Sequence, residues 1–155
     1  MEVTEWCIEK KLKMCFTQGL DIRLLDIEIA NQLYKFKNHH ILTFAFDSLK
    51  EEKVVRRGVE LLQQAGFTRN MLRAHVQFYV YVDSDEEYDS GLYRARELKK
   101  MNCNAFVMFN IDNERSQRIT DLQRWANRKQ LFWQMDIVDY KGSIRASKKL
   151  HRSNA

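Results

Sequence analysis

Four short runs along the chain are apolar at nearly every position: residues 14–17, 41–46, 76–82 and 105–109. β-branched and aromatic residues dominate them, and their lengths are those of strands. None alternates cleanly between polar and apolar, which is the pattern of strands covered on both faces. The intervening segments change period. Val54, Val55, Val59, Leu62 and Ala65 recur at helical spacing, with Gly66 placed to end the helix. Tyr88, Leu92, Ala95, Leu98 and Met101 form a second stripe, Leu24, Leu25, Ile29 and Leu33 a third, and Ile119, Leu122, Trp125 and Ala126 a fourth. Ahead of them Val3, Trp6, Cys7 and Leu12 read as one face of a leading helix.

The strand ends fall near Thr17, Phe46, Val82 and Phe109, at intervals of 29, 36 and 27 residues. Each interval is about one βα unit. An α/β domain of about four parallel strands with covering helices and right-handed crossovers is predicted. Four such strands form either an open doubly wound sheet or an arc of a barrel, and periodicity does not separate the two. A fold that enters on a helix leaves the edge of its first strand bare, so a homodimer through that edge is a candidate assembly.

Composition narrows the classes. A 155-residue chain with 45% hydrophobic residues suits one domain with a real core. It has no run of eighteen apolar residues, and its first residues do not form a secretory signal, so a cytoplasmic protein with no membrane contact is expected. Cys7, Cys15 and Cys103 are odd in number and widely spaced, which argues against both a disulfide framework and a zinc site. The net charge of +5 is uneven: residues 139–155 carry +4 and residues 1–138 only +1. The chain therefore divides into a folded body, 1–138, and a basic, flexible C-terminal tail, 139–155. That tail is either solvated or a contact for nucleic-acid phosphates.

Ligands of parallel α/β sheets bind where the strands end. Gln18, Gly19, Asp21 and Arg23 follow the first run, Asp47 the second, Asp83, Ser84 and Asp85 the third, and Asn110 and Asp112 the fourth. Asp47 and Ser84 or Asp85 also read as N-caps of the next helices. Residues 18–23 place an amide, a carboxylate and a guanidinium in one turn. His39, His40 and His75 precede strands and so belong to the opposite end, away from any such site. Trp125, Phe132 and Trp133 read as packing against the sheet.

Several of these segments together resemble the radical S-adenosylmethionine (SAM) superfamily. Phe16-Thr17-Gln18-Gly19-Leu20-Asp21-Ile22-Arg23-Leu24-Leu25 looks like a third barrel strand running into its helix. Phe44-Ala45-Phe46-Asp47 with Glu51-Glu52-Lys53-Val54 and Leu61-Leu62-Gln63-Gln64-Ala65-Gly66 looks like the fourth unit. Phe78-Tyr79-Val80-Tyr81-Val82 with Glu86-Glu87 and Leu92-Tyr93-Arg94 resembles the fifth, and Ala105-Phe106-Val107-Met108-Phe109-Asn110 the sixth. Arg124-Trp125-Ala126-Asn127-Arg128 matches the segment that follows. The likeness covers roughly residues 3–135.

The resemblance implies a partial (β/α) TIM-like barrel, the C-terminal portion of a six-unit barrel. It implies Gln18, Asp21, Arg23, Asp47 and Asn110 as contacts to SAM or substrate. The family's C-x-x-x-C-x-x-C loop and its Gly-Gly-Glu-like strand are not in this sequence. No catalytic residue, no metal ligand and no cofactor is therefore expected in this chain; SAM and a [4Fe–4S] cluster belong to a full-length relative. The chain departs from the pattern at Asp83, where the family commonly has glycine, and in having no proline. The other classes consistent with the sequence are a non-catalytic module whose tail contacts nucleic acid and an oligomerising scaffold.

Overall fold

The computed structural model describes residues 2–10, 16, 18–36, 41–110, 113 and 116–140. Helix α1 (Glu2–Glu9) leads. After a 3₁₀ turn at Ile22–Leu24 come α2 (Ile27–Lys35), β1 (Leu42–Ala45), α3 (Glu52–Gln64), α4 (Arg69–His75), β2 (Val76–Tyr81), α5 (Tyr88–Lys100) and β3 (Asn104–Met108). Helices α6 (Gln117–Asn127) and α7 (Lys129–Gln134) close the order. The described strands form one parallel sheet in the order β1-β2-β3, with Phe44 beside Phe78 and Phe78 beside Ala105. Three of the four expected strands are thus present, each within a residue of its expected limits. Of the earliest run, residues 14, 15 and 17 lie outside the described residues, as do His39 and His40, and Phe16 is not in a strand.

Local chemistry explains the helix limits. Asp26, Thr68 and Ser116 accept hydrogen bonds from the third backbone N–H of α2, α4 and α6. Helices α3 and α5 end alike. Phe67 N–H bonds Leu62 C=O past Gly66, and Cys103 N–H bonds Leu98 C=O past Asn102. Gly66 has φ +110° and Asn102 φ +61°, the left-handed residue that such an ending requires.

Burial alternates along β2, with Val76, Phe78 and Val80 buried and Gln77, Tyr79 and Tyr81 half-buried. Leu42, Phe44, Ala105 and Val107 extend the buried face, and Val55, Val59, Leu62, Ala95, Leu98, Ile119 and Leu122 join it in one core. The other face is closed only at its lower end, by buried Thr43 and Asn104; Phe106 and Met108 stay 37% exposed. The expectation of strands covered on both faces is therefore corrected. Tyr79, Phe106 and Met108 occupy the open face, and their apolar character hides the alternation in the sequence. In α1, Cys7 is buried while Trp6 is 53% exposed, so those two do not share a buried face.

The sheet's two edges are treated differently. On β3, Asn127 accepts the Val107 N–H at 2.7 Å and donates to the Val107 carbonyl at 3.1 Å, standing in for a neighbouring strand. On β1, Leu20 N–H donates to the Thr43 carbonyl at 2.7 Å. Ile137–Asp139 form a 3₁₀ turn and Tyr140 packs on the core, so residues 139 and 140 belong to the folded body, and residues 141–155 of the expected tail lie outside the described residues. No described helix is long and apolar enough to cross a membrane.

Candidate functional site

A cleft of ≈ 350 Å³ opens at the C-terminal ends of β1 and β2, walled by residues 19–23, Phe44, Ala45, Asp47, Glu51 and Tyr79. Its chemistry comes from two loops. In the first, Asp21 caps the Ile22–Leu24 turn by accepting the Arg23 N–H at 2.9 Å. The same carboxylate takes a forked pair of bonds from the Arg23 side chain, Nε to Oδ1 at 2.9 Å and Nη2 to Oδ2 at 2.7 Å. Those hydrogen bonds from Arg23 hold the Asp21 carboxyl down at about 2, against an ordinary 3.8. Gly19 faces the Thr43 carbonyl and the Tyr79 ring, where an added Cβ would lie 3.7 and 3.9 Å away.

The second loop is set by Asp47, whose Oδ1 accepts the Tyr81 N–H of β2 at 3.1 Å. Asp47 is therefore not the helix cap that its position suggested. Ser48 is, in a capping box with Glu51, whose Oε2 accepts the N–H groups of both Asp47 and Ser48. The loop after β2 repeats the design, with Glu87 Oε2 accepting the Asp83 N–H at 2.8 Å. Phe46-Asp47-Ser48-Leu49-Lys50-Glu51 and Val82-Asp83-Ser84-Asp85-Glu86-Glu87 are the same hydrophobic-Asp-Ser-x-x-Glu phrase. That repeat was the available signal for these turns. Ser84 makes no side-chain cap bond, and Asp85 accepts from Ser116 Oγ and Arg118 instead, fastening the loop to α6.

Beneath the cleft lies a residue that the pattern concealed. Arg94 of α5, 2% exposed, donates to the Phe46 carbonyl at 2.7 Å, the Tyr81 carbonyl at 2.9 Å and Ser90 C=O at 3.2 Å. Burial lowers its pKa, and Asp47, Glu87 and Glu51 oppose that shift. Its place on an apolar stripe, between Leu92 and Ala95, was the only hint.

Of the five residues predicted as ligand contacts, the structure gathers Asp21, Arg23 and Asp47 at one cleft. Gln18 is exposed outside its walls, and Asn110 sits beyond β3, half-buried, with its carbonyl accepting Asn113 N–H at 3.3 Å. Asp83, where the family resemblance leads one to expect glycine, accepts from Tyr81 Oη at 3.0 Å and Asn113 Nδ2 at 2.7 Å. Trp125 and Phe132 are buried, and Trp133 Nε1 donates to Asn104 Oδ1, in line with a packing role. Among the described residues no group of three His, Cys, Asp or Glu side chains could hold a metal ion. Comparisons with protein-family models, with curated proteins and with solved structures gave no match.

Proposed function

We propose that this chain supplies the ligand-binding strand ends of a radical SAM type barrel, contributing contacts to SAM or substrate without generating the radical itself. The observation that carries this reading is the cleft where Asp21, Arg23 and Asp47 meet at the ends of parallel strands, beside a sheet face on which Phe106 and Met108 stay exposed. A parallel sheet with one face packed on helices and aromatic Tyr79 and Phe106 on the other has the layering of a barrel wall.

The cleft suits a ligand bearing hydroxyl or cationic groups. Asp47 Oδ2 and Glu51 Oε1 meet no hydrogen-bond donor among the described residues, and the Tyr79 ring offers an apolar surface beside them. A [4Fe–4S] cluster does not fit the described residues. Cys7 and Cys103 are both buried, and burial pushes the Cys103 thiol up to about 12, far from the thiolate that iron requires. Free cysteines accord with the reducing cytoplasm that we propose as the protein's setting.

Isothermal titration with SAM tests the reading. Weak, saturable binding is expected, reduced about tenfold in Asp47→Asn, in line with loss of one charge-assisted contact. Binding that ignores Asp47→Asn, or a reconstituted cluster that cleaves SAM on reduction, would overturn it.

A further inference from the structure

We propose that Arg69 and Arg73, at the opposite end of the sheet from the cleft, form a binding site for a phosphate group. The two arginines lie one turn apart on α4, so their charges share a face. Both aim Nε at a single neutral acceptor, Asn102 Oδ1, at 2.8 and 3.2 Å. Among the described residues neither guanidinium pairs with a carboxylate. Two like charges are thus held together by an amide that neutralises neither, and among the described residues the Nη groups of both meet no acceptor.

The acceptor itself is informative. Asn102 and Gly66 occupy equivalent left-handed positions after α5 and α3. Glycine is the undemanding residue there, and asparagine adds a side-chain carbonyl that collects the two guanidinium groups. Arg73 is further fixed by stacking 4.3 Å over the Trp133 ring, whose Nε1 is tied to Asn104 at 3.0 Å. Lys99 adds positive charge nearby; its ammonium is lowered first by burial and then by Arg73 and Arg96, with Asp136 opposing. Two pre-set forks of N–H donors match a tetrahedral group with several oxygens better than a single carboxylate. The phosphate belongs either to a small phosphorylated compound or to a nucleic-acid backbone.

The test follows the arginine Nε–H and Trp133 indole N–H resonances of the full chain at constant ionic strength, using inorganic phosphate and, separately, a short single-stranded oligonucleotide. Saturable changes are expected with phosphate, weakened tenfold or more in Arg69→Gln. Arg69 is exposed, so that variant keeps its fold. The matched control Arg57→Gln, exposed on α3, should bind as the parent does. An oligonucleotide that competes at lower concentration than phosphate identifies the backbone as the source; one that does not identifies a small ligand. Absence of saturation, or equal weakening in both variants, would refute the site.

Discussion

Asp21 and Arg23 show how two residues in one short turn set a local charge. Their forked contact leaves the carboxylate ionised far into acid, because protonation removes the charge that the bonds from Arg23 stabilise. The folded pKa, about 2, is lower than the ordinary 3.8. The stability this pair lends is therefore complete above about pH 4 and is lost as pH falls toward 2. A carboxyl NMR titration should place the Asp21 midpoint near 2, and Arg23→Gln should raise it part of the way to the ordinary 3.8, the backbone N–H of residue 23 remaining as a donor. An unchanged midpoint in that variant would mean the geometry is not what holds it. This pair was legible in the sequence, since Asp and Arg two apart after an apolar run have little room to avoid each other. Asp47 was legible only in part. Its place marked a strand end, but its partner lies 34 residues away on β2, which no local pattern announces.

At the level of elements, the strand ends are joined by α5 as well as by their own ladder. Arg94 reaches from its helix to the Phe46 and Tyr81 carbonyls, so one guanidinium ties the loops that follow β1 and β2. Replacing it with methionine takes the donor from a buried carbonyl, Phe46, and from a partly buried one, Tyr81, for an expected loss of about 2–4 kcal/mol. Urea unfolding at neutral pH measures that loss, and Arg94→Lys should recover only part of it, since an ammonium is not a planar fork. A methionine variant as stable as the parent would deny Arg94 this role. The larger helices were readable because α3, α5 and α6 each run three turns or more and carry a clear stripe. Helices α4 and α7, of 7 and 6 residues, are too short to establish a period and were missed. The residue Thr68 before α4 was the one local sign of it.

The whole molecule presents a sheet with unlike borders. Asn127 satisfies both backbone groups of Val107, so the β3 border is shut at its middle against another strand. Pairing between copies was suggested by the sequence for the edge of the first apolar run, of which only Phe16 is among the described residues. Asn127→Leu removes the acceptor of the Val107 N–H and the shorter of the two side-chain donors to its carbonyl, Gln123 Nε2 remaining at 3.3 Å, and so frees the N–H of the β3 border. Light scattering over a concentration series should show the variant growing into larger species than the parent. Equal masses for the two would show that the amide does not guard that border. This arrangement was hidden from the sequence because it joins an asparagine at a helix end to a strand residue twenty positions earlier in the chain. The basic character of residues 139–155 was plain from composition, though Asp139 and Tyr140 proved to belong to the folded body.

The guard on β3 also has a timetable. Strand β3 is complete at Met108, but Asn127 comes nineteen residues later. At ordinary synthesis speeds that gap lasts on the order of 1–4 s. During it a nascent chain carries a finished strand with an unprotected border, while neighbouring ribosomes on the same message hold identical borders close by. Slow decoding between residues 109 and 127 would lengthen that exposure, so the yield of soluble protein should depend on codon choice in this stretch more than elsewhere in the chain.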